Sequence, residues 1–349
     1  RQVGKTTLVK HILADYGDEG IYLNCDQPDI ADALANKTSL ELYEYVQRKK
    51  LVVLDEAQRV ENIGLTIKLL VEAYPEMQII ATGSSSFELA NKITEALTGR
   101  AWFHKLYPLS YEEIAAVDKI AAYRSLNRML RLGTFPNMWW NDETTAIQLL
   151  NDLTTGLLFK DLLQFEQLRQ APLLIKLLQA LALQLGNEVS YSELANLLSV
   201  DGKTVERYIF LLEQVFVIFR LPTLKRNPRT EVSRLRKVYF YDLGIRNSLI
   251  QNFNDLSLRT DTGALWENFC ILERIKHKDY KKQFANYYFW RSYDKQEVDF
   301  IEESGGALNA FEFKRQNPKN IKPPSGFINS YPDANFSVID TNNFEQFVT

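Results

Sequence analysis

Cysteine and histidine are scarce in this sequence: 349 residues contain only two cysteines and three histidines. Cys25 and Cys270 lie far apart with no CxxC spacing, which excludes a disulfide framework and a cysteine-rich zinc site and points to a reduced, cytoplasmic setting. His11, His104 and His277 share no metal-ligand spacing, so surface or packing roles are expected of them. No apolar run approaches the roughly 18 to 20 residues that span a bilayer, and no membrane partner is expected. An excess of one charge is also missing. Lys plus Arg number 41 against 44 Asp plus Glu, a formal net charge of -3. That balance excludes coating nucleic acid by bulk charge and leaves room only for a local basic patch. What is present is ordinary globular material, 46% hydrophobic and 24% charged, long enough for two or three domains.

The first residues carry the most specific chemistry. Gly4-Lys5-Thr6-Thr7, followed by the apolar-periodic Leu8, Val9, Ile12 and Leu13, reads as the second half of a Walker A loop entering a helix. Backbone N–H groups around Gly4 would face phosphate oxygens, Lys5 would reach the β- and γ-phosphates, and Thr6 would give a hydroxyl to Mg²⁺. A lysine-capped turn is the other reading of the triplet alone. The first glycine of such a loop would precede residue 1. Weak or absent ATP binding is therefore expected of this chain, because the donors of the earlier half loop are missing.

Leu51-Val52-Val53-Leu54 is an apolar run of buried-strand type ending in Asp55 and Glu56, the pattern of a Walker B strand. Adjacent strand residues point to opposite faces, so Asp55 can hold the magnesium shell while Glu56 orients or deprotonates the attacking water. A strand ending in a solvated acidic turn is the alternative. A third strand is expected over residues 78–83, ending at Ser84, Ser85 and Ser86, where Ser84 or Ser85 could sense the γ-phosphate. Arg100, at the close of a helical stretch from Glu95, is the candidate arginine finger, with a plain surface arginine as the other reading. Residues 102–106 are expected to form another strand.

Residues 115–170 read as helices interrupted by Gly133 and Pro136. From Ser190 the pattern becomes helix, tight turn, helix. Ser190 and Glu193 suggest a capping box before Leu194, and Asp201-Gly202-Lys203-Thr204 opens a second amphipathic helix that runs into strand-like Val215–Phe219. A winged helix-turn-helix follows from this order, with Lys203, Thr204 and Arg207 as candidate DNA-facing residues. Downstream, Arg220, Lys225, Arg226, Arg229, Arg234, Arg236 and Lys237 stand against the single acid Glu231, a basic hairpin suited to phosphates. A winged helix used for protein contacts or domain packing is the competing reading.

The C-terminal part orders a helix acid, Glu267, then Asp299 in a strand, then Glu312-Phe313-Lys314 in another. Residues two apart on a strand share a face, so Asp299 and Glu312 could bind a divalent metal while Lys314 polarises a water or phosphate oxygen. This resembles the PD-(D/E)xK nuclease core, with Glu267 as a possible fourth member. The alternative is an inherited fold that no longer cuts, its acids and lysine forming an ion-paired network.

Taken in order, the Walker-type motifs, residues 81–87, 97–100 and 106–113, Leu-Gly-Thr-Phe-Pro (132–136), Tyr-Phe-Tyr-Asp-Leu-Gly (239–244) and the C-terminal acid–lysine pattern resemble one family. It is the prokaryotic AAA-type ATPases with a C-terminal domain of unknown function 4143. The resemblance implies an α/β fold: a P-loop NTPase parallel sheet lacking its first strand over 1–115, a helical lid and connector over 116–170, a winged-helix-like domain over 171–250, and a restriction-endonuclease-like domain over 251–349. The expected activity is ATP hydrolysis with ATP and Mg²⁺ as ligands, with DNA as an expected partner through the winged helix and basic hairpin, and a homo-oligomer or protein partner as further expectations. A non-catalytic nucleotide switch acting through protein partners is the rival.

Overall fold

Five consecutive buried side chains, Leu51–Asp55, form strand β2 at the centre of a parallel sheet. The computed structural model describes residues 2–83, 97, 99–156, 171–225, 236–316 and 321–349. It divides the chain into two compact units, Arg1–Leu106 and Tyr107–Thr349. In the first, β1 (Gly20–Asn24), β2 and β3 (Gln78–Ala81) run parallel in the order β1-β2-β3, with Leu23 beside Leu54 and Leu54 beside Ala81. The twofold alternation of strand side chains sends Val52 and Leu54 to one face and Leu51 and Val53 to the other. The first pair joins a core with Leu34, Ile63, Ile67 and Leu70, and the second packs on Val9. Those partners come from α1 (Lys5–Tyr16), α2 (Pro28–Leu34) and α4 (Ile63–Ala73); α3 (Ser39–Tyr45) begins on a capping box of Thr38 and Glu41. A parallel strand covered on both faces has no need of polar positions, which is why β2 reads as a continuous apolar run.

The strand expected over residues 102–106 does not form. Among the described residues that stretch has no sheet partner, and Trp102 is 85% exposed. A segment whose backbone lacks a ladder partner leaves its N–H and C=O groups to other acceptors and donors, so apolar patterning alone could not make it a strand.

The second unit opens with α5 (Tyr111–Val117), capped by Ser110 and Glu113, then α6 (Lys119–Arg124), α7 (Leu126–Leu132), α8 (Pro136–Trp140) and α9 (Glu143–Gly156). Gly133 ends α7 at φ +71° and Pro136 occupies the first turn of α8, as the expected interruptions require. Helices α10 (Ala171–Leu183), α11 (Tyr191–Leu198) and α12 (Gly202–Gln214) follow. Ser190 caps α11 and Asp201 caps α12, accepting from Thr204 N at 2.8 Å. The strand expected from Val215 begins only at Ile218, because α12 runs to Gln214 and Phe216 turns through φ +57°. Strands β4 (Glu188–Val189), β5 (Ile218–Pro222) and β6 (Arg236–Phe240) make an antiparallel sheet in the order β4-β6-β5.

Helix α13 (Leu243–Leu249) and α7 interlock through two of the sequence motifs. Asp242 accepts from Thr134 N at 2.8 Å and from Ile245 N at 3.1 Å. A side chain at Gly133 would lie 2.1 Å from Asp242 Oδ1, and one at Gly244 would lie 2.3 Å from the Leu132 carbonyl oxygen. These glycines are there for close approach. The long helix α14 (Thr262–Tyr280) then precedes a four-stranded sheet of β7 (Asn286–Arg291), β8 (Glu297–Ser304), β9 (Ala307–Phe313) and β10 (Asn335–Ile339), order β10-β9-β8-β7. Only β9 and β10 are parallel, joined across α15 (Ser325–Ser330); α16 (Phe344–Val348) closes the described chain.

Candidate functional site

At the carboxyl end of β2, Asp55 collects three hydroxyls. Thr6, in the first turn of α1, donates to Asp55 Oδ2 at 2.8 Å; Tyr22 from β1 donates to the same oxygen, and Thr82, just past β3, donates to Oδ1. Burial pushes the Asp55 carboxyl up, but the bonds from Thr82, Tyr22 and Thr6 and the charge of Lys5 outweigh it and hold it below the ordinary range. The carboxylate is thus kept ionised beside a helix N-terminus. Gly4 precedes that helix at φ +95°, a conformation glycine adopts without strain, and Leu8 N bonds back to the Gly4 carbonyl at 2.9 Å. Thr7 is exposed one residue beyond Thr6. Hydroxyl and carboxylate oxygens brought together beside a lysine form a hard-oxygen donor set, which fits Mg²⁺.

Glu56 leaves the strand in the left-handed region at φ +53°, so its side chain parts from that of Asp55. Its Oε2 accepts from Gln58 Nε2 at 2.6 Å. Arg100 is ion-paired with Glu72 of α4 within the same unit. Ser84 and Ser85 lie outside the described residues. Sequence reading missed Tyr22 and Thr82 as members of the site. Cys25, next to this cluster, is pushed up to about 12 first by burial and then by the charge of Asp55, so it remains a thiol.

In the second unit, α11, a three-residue turn and α12 form a helix-turn-helix, with Lys203, Glu206 and Arg207 exposed on α12 and Val205, Tyr208 and Ile209 buried. Thr204 is partly engaged: its hydroxyl donates to Asp201 at 2.8 Å. Arg226 and Arg229 lie outside the described residues, whereas Lys225 is described and half-buried. Two members of the basic run point inward. Arg220 donates to Tyr191 at 2.9 Å and pairs with Glu213, and Lys237 is 1% exposed. Their side chains meet acids and a phenol of the protein, so they do not extend an outer basic surface.

The C-terminal acids also come together, though around a lysine of the basic run, Lys237. Lys237 Nζ lies 3.0 Å from Glu267 Oε1 and 3.8 Å from Asp299 Oδ1, and it also pairs with Glu297. Tyr239, two residues along the same strand face, donates to Glu267. Asp299 Oδ2 accepts from Phe313 N at 3.0 Å, and Lys314 donates to Glu312 at 2.8 Å. Burial pushes Glu267 up to about 7 against the pull of Lys237, with Asp299 adding to the rise. Burial likewise raises Asp299 and Glu312, in Glu312 with the Asp299 charge as the next cause. Lys237 is held charged, because the carboxylates around it overcome the desolvation that opposes its charge.

A parallel sheet with a helix-borne threonine bonded to a strand-end aspartate is consistent with a P-loop-like domain in the first unit. Residues 1–115 match the family model described as an AAA domain, residues 123–256 a domain of unknown function (DUF8612), and residues 262–347 a domain of unknown function (DUF4143). These matches support an AAA-like ATPase with DUF4143 architecture. It is 24% identical over 323 residues to an uncharacterized protein of Methanocaldococcus jannaschii, covering 86% of this chain and 70% of that one. An uncharacterized protein of Mycobacterium tuberculosis is 27% identical over 327 residues, 92% of this chain and 70% of the relative. The crystal structure of protein VC1899 from Vibrio cholerae aligns with 100% of this chain and 94% of its own, at 10% identity and a TM-score of 0.17, a likeness too slight to bear on the fold. Among the described residues no helix is long and apolar enough to cross a membrane.

Proposed function

We propose that this chain is an ATP-hydrolysing AAA-type ATPase that works on DNA. The observation that carries the ATPase reading is the 2.8 Å bond from Thr6 Oγ1 to Asp55 Oδ2, which joins the loop-helix and strand motifs into one site. Bound Mg²⁺ would supply charge neutralisation at the phosphates, held through Thr6 and Asp55. The remaining work falls to the chain. Gly4 and Thr7 present backbone N–H groups to phosphate, Lys5 brings a positive charge, and Thr82 and Tyr22 fix the direction of the Asp55 carboxylate. Glu56 orients the attacking water and takes its proton once it leaves Gln58. Arg100, released from Glu72, supplies positive charge to the transferring group, and Ser84 or Ser85 reports the γ-phosphate. Phosphate release by the protein extended through a complete phosphate-binding loop, and by its Glu56→Gln variant, tests this: the reading requires turnover in the first and its loss, with ATP binding retained, in the second. Equal phosphate release by both would overturn it.

The DNA part of the reading rests on the helix-turn-helix of α11 and α12 with the β5–β6 hairpin behind it, a winged-helix arrangement over 171–250. Lys203, Thr204 and Arg207 face the groove, while Lys225, Arg226 and Arg229 meet phosphates. Duplex affinity should then fall steeply with salt, and Arg207→Glu should weaken it. Salt-independent binding, or none at low salt, would end this part of the reading. The α14–β10 region, 251–349, is read as nuclease-like in fold, after the helical lid and connector of 116–170. One observation favours a second reading of the ATPase unit, a nucleotide switch without turnover: Gln58 already holds the Glu56 carboxylate. ATP binding with no phosphate release above Glu56→Gln, with DNA present, would select it.

A further inference from the structure

In a metal-dependent nuclease core, strand and helix carboxylates converge on a divalent cation and keep oxygens free for it. The cluster of α14, β8 and β9 has the carboxylates, but each of them already accepts a hydrogen bond or pairs with a lysine of the protein. Glu267 receives Lys237 and Tyr239, Asp299 receives the Phe313 N–H on one oxygen and faces Lys237 with the other, and Glu312 receives Lys314. Glu297, two residues before Asp299 on β8, also takes Lys237, and is shared with Arg291 at 3.7 Å. Among the described residues, no group of three or more His, Cys, Asp or Glu is arranged to hold a metal ion. A divalent ion between Asp299 and Glu267 would sit within a few ångströms of a buried ammonium, where repulsion is poorly screened. The residues do not fit a metal.

The ammonium itself does fit. Lys237 belongs to β6, the middle strand of the β4-β6-β5 sheet, where it stands opposite Glu188 on one side and Leu221 on the other. Its stem crosses to the second sheet, passing its Nζ within 5.6 Å of the Phe289 ring centre on β7. A buried charge is tolerated only where opposite charges and hydrogen bonds replace its water, and here three carboxylates from α14 and β8 do so. We propose that Lys237 is the resident cation of this cluster. It takes the place of the divalent ion, so that the region is a metal-independent ionic junction between β6 and the β7–β10 sheet and does not cut DNA.

The test uses Mn²⁺ as the probe on the full chain without nucleotide. Free Mn²⁺ is counted by electron paramagnetic resonance, and Asp299→Asn is compared with the parent so that ions bound elsewhere cancel. Parent and Asp299→Asn should bind equal amounts of Mn²⁺ and should show equal, background-level cleavage of duplex DNA. Lys237→Ala should melt at lower temperature, take up about one further Mn²⁺ per chain, and regain melting temperature when Mn²⁺ is added. Lys237→Ala combined with Asp299→Asn should lose that extra ion. A parent that binds more Mn²⁺ than Asp299→Asn, or cleaves DNA where Asp299→Asn does not, overturns the proposal. So does a folded Lys237→Ala chain that gains no ion. Should Lys237→Ala fail to fold, the parent comparison alone decides. ATP turnover takes no part in any of these readouts, so the ATPase reading can fail or stand separately.

Discussion

Valine at position 82 keeps the shape of threonine and its two main-chain bonds, Thr82 N to the Leu54 carbonyl and Ala57 N to the Thr82 carbonyl. What Thr82→Val removes is the hydroxyl that donates to Asp55 Oδ1. A hydrogen bond to a charged group contributes about 1.5 to 3 kcal/mol. At about 1.4 kcal/mol for each tenfold change in rate, kcat/KM for Mg-ATP should fall roughly 10-fold to 100-fold if that oxygen must be ionised and aimed. The pH profile gives a second reading of the same loss. Asp55 is held below its ordinary range, so its ionised form stabilises the fold above the unfolded value and that contribution is lost as pH falls through the folded one. Removing a donor lifts the folded value, and the acid limb of kcat/KM should move to higher pH. Phosphate release measured between about pH 5 and pH 8 follows both effects. Thr66→Val is the control, since its hydroxyl donates to the Leu34 carbonyl at 3.0 Å, away from Asp55, and should lower stability without moving the limb. A Thr82→Val chain within about twofold of the parent, with an unmoved limb, would show that Asp55 does not depend on its hydroxyl cage.

Gly244→Ala would put a methyl 2.3 Å from the Leu132 carbonyl oxygen and 2.8 Å from Leu150 Cδ2, and the first of these is backbone that cannot swing away. Overpacking of this kind costs about 1 to 3 kcal/mol or more, and a melting temperature unchanged from the parent would refute the close approach of α7 and α13. Lys276→Met should be costlier, about 3 to 5 kcal/mol, since it strands Glu273 in the interior. That lysine donates to Glu273 at 2.7 Å and to the Leu109 carbonyl at 3.0 Å, so Lys276→Met with Glu273→Gln should recover part of the loss in thermal melts. Asp242 supplies a pH test: burial pushes its carboxyl up to about 6, over the opposing bonds from Thr134 and Ile245. A raised carboxyl contributes stability that is fully present below its unfolded value and lost as pH rises through about 6, so the parent should lose roughly 2 kcal/mol relative to Asp242→Asn between about pH 4 and pH 6. Parallel melting curves for the two across that range would contradict it.

The parts of this protein that could be read from sequence are those in which neighbours in the chain are also neighbours in the chemistry. Leu51–Asp55 reads as a buried strand because both faces of β2 are covered, and Lys5 and Thr6 stand together because a helix begins there. Tyr22 and Thr82 could not be found in the same way. They reach Asp55 from β1 and from the end of β3, and what brings them there is parallel register, Tyr22 beside Val53 and Leu54 beside Ala81, which no local pattern specifies. Lys237 shows the opposite failure, a local pattern that misleads. Counted with its basic neighbours it belongs to a surface, yet it begins Lys237-Val238-Tyr239-Phe240, four consecutive buried residues. A strand with one wet face would have alternated. The unbroken apolar run after the lysine leaves no solvent side for it, and a buried ammonium then demands acids from elsewhere in the chain, which Glu267, Glu297 and Asp299 supply. Strand periodicity, applied to a charged residue as strictly as to an apolar one, was the available signal that this lysine faces the interior.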